Sequence, residues 1–184
     1  MASMITGREG IADAFEVVLD GRECQRGLCR DLETLADRLG VTVDEGLAER
    51  CLAYLHSDLA VHQRDEEAVY RLLGEFDTGD GVAQLIRLAT NEHIRHREYA
   101  CELSEWLEAA LHGRAKCNPD ALGYLLRCMF DNLSQHLAWE EVTLFGTARQ
   151  TRELLSGRDL AGQLARNRRA HPARLRLIYS VPSH

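Results

Sequence analysis

The 184-residue sequence contains no run of eighteen apolar residues, and Met1 to Gly10 hold no hydrophobic stretch. A membrane-spanning helix needs about 20 apolar residues and a signal peptide needs an apolar core of about 7–15, so neither is indicated and a cytosolic protein is expected. The six cysteines (Cys24, Cys29, Cys51, Cys101, Cys117 and Cys128) include no C-x-x-C pair, and most fall inside helical patterns. Reduced thiols fit this better than a disulfide framework or a zinc knuckle. A surplus of positive charge is also missing. Lys and Arg total 22 against 29 Asp and Glu, a net charge of −7, which argues against nucleic acid as a partner. The imbalance is uneven: from Arg149 onward eight arginines face only Glu153 and Asp159, so this end carries +6 and the first 148 residues carry −13.

What is present is helical periodicity, with almost no β pattern. Ile11, Phe15, Val18, Gln25, Leu28, Leu32, Leu35 and Leu39 recur at three- and four-residue steps, predicting a helix from Arg8–Ile11 to Leu39 that Gly40 stops. Gly21 and Gly27 interrupt it, so a bend or two helices are expected there. Val41-Thr42-Val43 is too short for a strand. Asp44 caps a second helix through Leu73, ending in the loop Asp77-Thr78-Gly79-Asp80-Gly81. A third runs from Val82 to about Leu111, and Pro119 and Asp120 open a fourth that continues to Ala148. Four long helices with short connections predict an all-α, antiparallel four-helix bundle over residues 1–150. Residues 151–184 are expected to form a short helix (Gly157 to about Arg168) and a basic C-terminal tail.

Two stretches of this pattern match each other: Leu59-x-x-His62-x-x-x-Glu66-Glu67 and, seventy-four positions later, Leu133-x-x-His136-x-x-x-Glu140-Glu141. On a helix, i and i+4 share one face, so each His/Glu pair can grip one ion. The leucine three residues before each histidine turns that face toward a core. There an imidazole and a carboxylate are costly unless a cation binds them. Apolar residues follow each repeat (Val69 and Tyr70; Val142 and Leu144). His93 is in phase with Leu85, Leu88, Ala89 and Ala100, so it points inward as a further ligand candidate. His96 lies one step off that face, from which it could reach the edge of the site, and an exposed position is the preferred reading. His56, His112, His171 and His184 are rotated away or lie in loops or the tail, and are read as non-ligands.

This constellation resembles the hemerythrin-like (HHE cation-binding) family over roughly residues 8 to 150. His62-x-x-x-Glu66, His93 and His136-x-x-x-Glu140 match the family motif, and the separations of 31 and 43 between these histidines suit helix-loop-helix hairpins. The resemblance implies two non-haem irons, with manganese as the alternative occupant. Glu66 and Glu140 would bridge the ions and the histidines would cap them. Ferritin-like centres need Glu-x-x-His pairs, and no histidine here has Glu three residues before it. Two departures stand out. Where the family places a histidine on the first helix this chain has none, and the helical phase puts Cys24 inward with Glu23 beside it. Cys24 is then either a thiolate ligand or a small core residue, and Glu23 is a further candidate. Arg97 also stands where oxygen carriers have a histidine, which leaves more open coordination than reversible carriage requires.

Three functions follow from the resemblance. One is a diiron oxidase, oxygenase or peroxide-consuming protein acting on dioxygen, peroxide, nitric oxide or an organic substrate, with Tyr70 or Trp139 near the metals as redox-active or packing side chains. Another is a sensor or iron-centre repair protein that meets a protein partner through the basic tail. The third is a structural bundle without metal. The tail's arginines can equally lie on the acidic bundle, which is the preferred reading of that segment.

Overall fold

The computed structural model describes residues 5–40, 43–76, 79–112 and 118–146, together with Gly162, Ala165 and Arg166. Four helical rods account for them. The first is α1 (Ile5–Arg38). The second combines α2 (Glu45–Ala53), a π-helical turn (Tyr54–Asp58) and α3 (Leu59–Phe76). The third and fourth are α4 (Asp80–Leu111) and α5 (Pro119–Val142). No strand occurs among the described residues, and no helix there is long and apolar enough to cross a membrane. Val41 and Thr42, the expected fifth helix and the basic tail lie outside the described residues, apart from Gly162, Ala165 and Arg166, which are helical.

Local chemistry sets the rod ends. Past the end of α1, Gly40 adopts φ 124°, a conformation that strains any residue with a Cβ. Asp44 accepts from the Leu47 amide at 3.0 Å and so caps α2. Asn118 accepts from the Asp120 amide at 2.9 Å, with Pro119 at the first helical position of α5.

The rods pack in a ring. α1 lies against α5 and α3, α5 against α4, and α4 against the rod formed by α2, the π turn and α3. Their direction follows from where the apolar residues go. One core contains Leu28, Leu32 and Leu35 of α1, Leu59 of α3, Ala100, Leu103 and Leu107 of α4, and Leu126, Leu133 and Leu137 of α5. The other contains Val18 of α1, Ala68, Val69 and Leu72 of α3, Ala89 of α4, and Leu144 and Phe145 beyond α5. Along α1 and α4 the chain passes from the second core to the first, and along α3 and α5 it returns. The bundle is therefore antiparallel, as the short connections require. Each buried leucine contributes about 1.5–3 kcal/mol by leaving water. Between the two cores every rod carries buried polar residues at the same level: Arg22, Glu66, His93, His136 and Glu140.

Three details differ from the sequence expectation. α1 is one continuous helix through Gly21 and Gly27, because packing overrides a propensity cost of about 1 kcal/mol per glycine. At Gly21 the missing side chain has a use: a Cβ there would lie 3.1 Å from Cδ2 of His62. The second rod contains the π turn. Regular helix in α5 stops at Val142, which is 80% exposed, and the chain turns at Thr143 so that Leu144 and Phe145 seal the second core.

Gly21→Val should lower stability by about 1–3 kcal/mol, because branched carbons would meet a ring that is itself held by Tyr54. Gly81, near the start of α4, has nothing within 4 Å of an added Cβ, so Gly81→Ala should raise stability by about 0.5–1 kcal/mol. Chemical denaturation of both variants checks this. Equal effects would mean that α1 does not approach His62 as described.

Candidate metal centre

Glu66 of α3, His93 of α4, and His136 and Glu140 of α5 are all buried, and one ligand atom from each lies within 4.8 Å of the other three. The four-residue step from His136 to Glu140 puts both on one face of α5, with Nε2 of His136 3.3 Å from Oε2 of Glu140. His93 reaches the same point from α4, with its Nε2 3.1 Å from Nε2 of His136 and 3.5 Å from Oε2 of Glu66.

The outer nitrogens decide what these rings present inward. Nδ1 of His93 meets Oε1 of Glu67 at 3.0 Å, and Nδ1 of His136 meets Oε2 of Glu92 at 2.6 Å. An ionised carboxylate only accepts, so each Nδ1 carries a proton and donates it. Burial works against the charge on Glu67, but the hydrogen bond from His93 and the charges of His93, Arg97 and Arg71 outweigh it and hold its carboxyl below the usual range. His136 is kept neutral, pushed down to about 2 by burial and then by its neighbours His93 and His96. With Nδ1 of each ring committed to a carboxylate, the two Nε2 atoms, 3.1 Å apart, need a shared proton or a cation between them. A carboxylate behind each imidazole is the arrangement that orients histidine ligands toward a metal.

The carboxylates carry a matching demand. Oε2 of Glu66 and Oε1 of Glu140 are buried and have no hydrogen-bond partner among the described residues. Burial and the neighbouring Glu66 push Glu140 well above the usual carboxylate range, with Arg22 pulling the other way. Arg22, on α1, is the element that sequence reasoning missed. Its Nη1 lies 3.2 Å from Oε1 of Glu66 and donates to Oε2 of Glu140, and its Nη2 donates to the Leu137 carbonyl at 2.8 Å. The signal was available: Val18, Arg22, Gln25, Cys29, Leu32 and Ala36 recur at alternating four- and three-residue steps and are all buried.

Of the sequence candidates, Glu66, His93, His136 and Glu140 come together, and His62, Cys24 and Glu23 are not among them. His62 turns its Nδ1 to the hydroxyl of Tyr54 at 2.5 Å. The π turn makes this contact. Eight residues of regular helix leave two side chains about 80° apart, and the one extra residue of the turn removes most of that angle. Cys24 packs against the first apolar core. Glu23 pairs with Arg26 at 3.2 Å and Arg30 at 3.6 Å on the outer surface of α1. Cys24 does face the core, but it lies two residues further along α1, about 3 Å nearer the first apolar core, and Arg22 stands at the level of the ligands.

Two surrounding residues also differ from or extend the sequence reading. His96, expected at the surface, is 3% exposed and stands edge-on to His136, with ring centroids 5.0 Å apart. Burial, then His93, pushes it down to about 3. Arg97 stays outside the centre, donating to Oε1 of Gln63 at 2.7 Å. His56 pairs with Glu108 on the surface at 3.7 Å, and His112 lies at the exposed end of α4. His171 and His184 lie outside the described residues.

The family model described as Hemerythrin HHE cation binding domain matches residues 23–148 of this chain. No curated protein and no solved structure matches it.

The two depressed histidines predict how the metal-free protein responds to acid. Both bind a proton when unfolded near 6.5 but not when folded, so the stability they provide is complete above that pH and is lost below it. Each costs up to about 1.4 kcal/mol per pH unit. Glu140, raised when folded, works in the opposite direction and offsets part of this loss. A net loss on the order of 1–2 kcal/mol is expected between pH 6.5 and about 5, and His96→Phe should flatten it. Denaturation of metal-free protein across this range is the check. A pH-independent stability in both proteins would contradict the burial of neutral imidazoles.

Proposed function

The chain belongs to the hemerythrin HHE cation-binding domain family, and on that premise we propose that it is a non-haem iron protein that binds or reacts with dioxygen, peroxide or nitric oxide in its buried polar layer. The observation that carries this reading is the pair of Nε2 atoms 3.1 Å apart, each ring anchored from behind by a carboxylate and faced by the partnerless oxygens of Glu66 and Glu140. Two imidazoles and two carboxylates make a mixed N/O donor set that suits iron, with manganese as the alternative. Iron held there would supply a redox couple and coordination positions for a small oxidant.

The chain's own residues prepare that chemistry. Glu67 and Glu92 hold the Nδ1 protons and fix both rings before any ion arrives. Tyr70 stacks on His93 with centroids 5.8 Å apart, and Trp139 stacks on His136 at 6.5 Å, so the imidazoles are walled by aromatic faces that keep water away. Tyr70 is 1% exposed and its hydroxyl has no hydrogen-bond partner among the described residues. That leaves a neutral donor on the wall of the site, available to a small polar ligand.

Protein purified from iron-rich culture should contain iron and should change its visible absorption when peroxide or nitric oxide is added. His93→Ala and His136→Ala should each release the metal. Glu92→Ala should weaken its binding by about 10–100-fold through loss of ring orientation. Full iron content in the histidine variants would refute the ligand assignment. An iron-loaded protein that responds to none of dioxygen, peroxide or nitric oxide would refute the reactivity.

A further inference from the structure

We infer that the polar layer holds one metal ion, not two, and that the Arg22 guanidinium stands permanently in the place of a second cation. The inference rests on the metal reading above and goes further by fixing how many ions the centre takes.

A carboxylate that bridges two cations gives one oxygen to each. Glu66 and Glu140 approach this division. Oε1 of Glu66 and Oε2 of Glu140 go to Nη1 of Arg22, and Oε2 of Glu140 also lies 3.3 Å from Nε2 of His136. Their other oxygens have no hydrogen-bond partner among the described residues and lie 3.5 and 4.0 Å from Nε2 of His93. One of the two bridged positions therefore faces the imidazole pair, and the other is filled by a guanidinium, which is charged at any working pH.

Arg22 is also held from several sides. It is 1% exposed, donates to the Leu137 carbonyl, lies 3.7 Å from Glu141, and has its Cζ 4.1 Å over the Phe145 ring. To admit a second ion it would have to give up all of these contacts at once. Remaining in place beside that ion would set two like charges a few ångströms apart where screening is poor. Nor do the surrounding ligands suit a second ion. His62 and Cys24 are not among the clustered ligand atoms, and α1 contributes Arg22 at this level while Cys24 packs against the apolar core. The cluster that remains, Glu66, His93, His136 and Glu140, is a ligand set for a single cation. With a divalent ion in it, the metal and the guanidinium carry +3, against −2 from Glu66 and Glu140 and a third negative charge from Glu141, 3.7 Å from Arg22.

The test is a metal count and a spectrum on the full-length protein. The metal-free chain is loaded with excess Fe(II) without air, and in parallel with Mn(II). It is then desalted, and bound metal is measured by elemental analysis. One ion per chain is expected, with the six-line paramagnetic resonance spectrum of isolated Mn(II). Arg22→Lys keeps a cation in place and should still bind one. Arg22→His removes the fixed charge, adds an imidazole on α1, and should double the count to two. Two ions per wild-type chain with the spectrum of a coupled pair would overturn the inference and leave the metal reading intact. No bound metal in the wild type would overturn the metal reading itself, and this inference with it. The wild-type count decides the matter even if the Arg22→His protein fails to fold.

Discussion

Burying two carboxylates in the middle of a bundle is the constraint on which the rest of this structure depends. Each ion taken out of water costs several kcal/mol even after relaxation, and only a complete set of opposite charges and hydrogen bonds offsets this. Here the set is assembled from all four rods: Arg22 from the first, Glu66 and Glu67 from the second, Glu92 and His93 from the third, and His136 and Glu140 from the fourth. A slip of one rod by a single residue would strand a charge among leucines. The apolar cores above and below this layer would tolerate such a slip far better, since leucine packs against leucine in many registers. Alignment of the rods is therefore tied to the layer, and the layer's chemistry is tied to the rods.

The clamps behind the histidines follow the ring order of the helices. Glu67 reaches across from α3 to His93 on α4, and the adjacent Glu92 on α4 reaches across to His136 on α5. Neighbouring residues on one helix thus serve different purposes, His93 facing inward and Glu92 gripping the next imidazole. The result is a pair of rings whose lone pairs are aimed before a metal enters, which lowers the ordering cost of binding it. Arg22 completes the arrangement from the opposite side by keeping one oxygen of each bridging carboxylate occupied.

Much of this was legible in the sequence because helices repeat. Apolar residues at three- and four-residue steps marked the four rods, and the two copies of His-x-x-x-Glu marked where two of them carry ligands. His93 was legible from its phase with Ala89 and Ala100. Arg22 shares the phase of Val18, Gln25 and Cys29 but was passed over, because an arginine in a helical pattern reads as solvent-facing until its acidic partners, 44 and 118 residues away, are known. His96 was misplaced for a related reason: a position one step off the core stripe is buried or exposed according to how closely the next helix approaches. The π turn has no local sequence signature. It shifts the phase of everything after Ala53, so that His62 meets Tyr54 and leaves Glu66, one turn later, to face Arg22 and His93.

The central claim is that a cation belongs between the two imidazoles and the two carboxylates. Anomalous diffraction at the iron edge, from crystals of the iron-loaded protein, tests it most directly. A peak about 2.0–2.3 Å from Nε2 of His93, Nε2 of His136 and the inward oxygens of Glu66 and Glu140 is the predicted result. Iron located elsewhere, or no anomalous peak among these four side chains, would contradict the account.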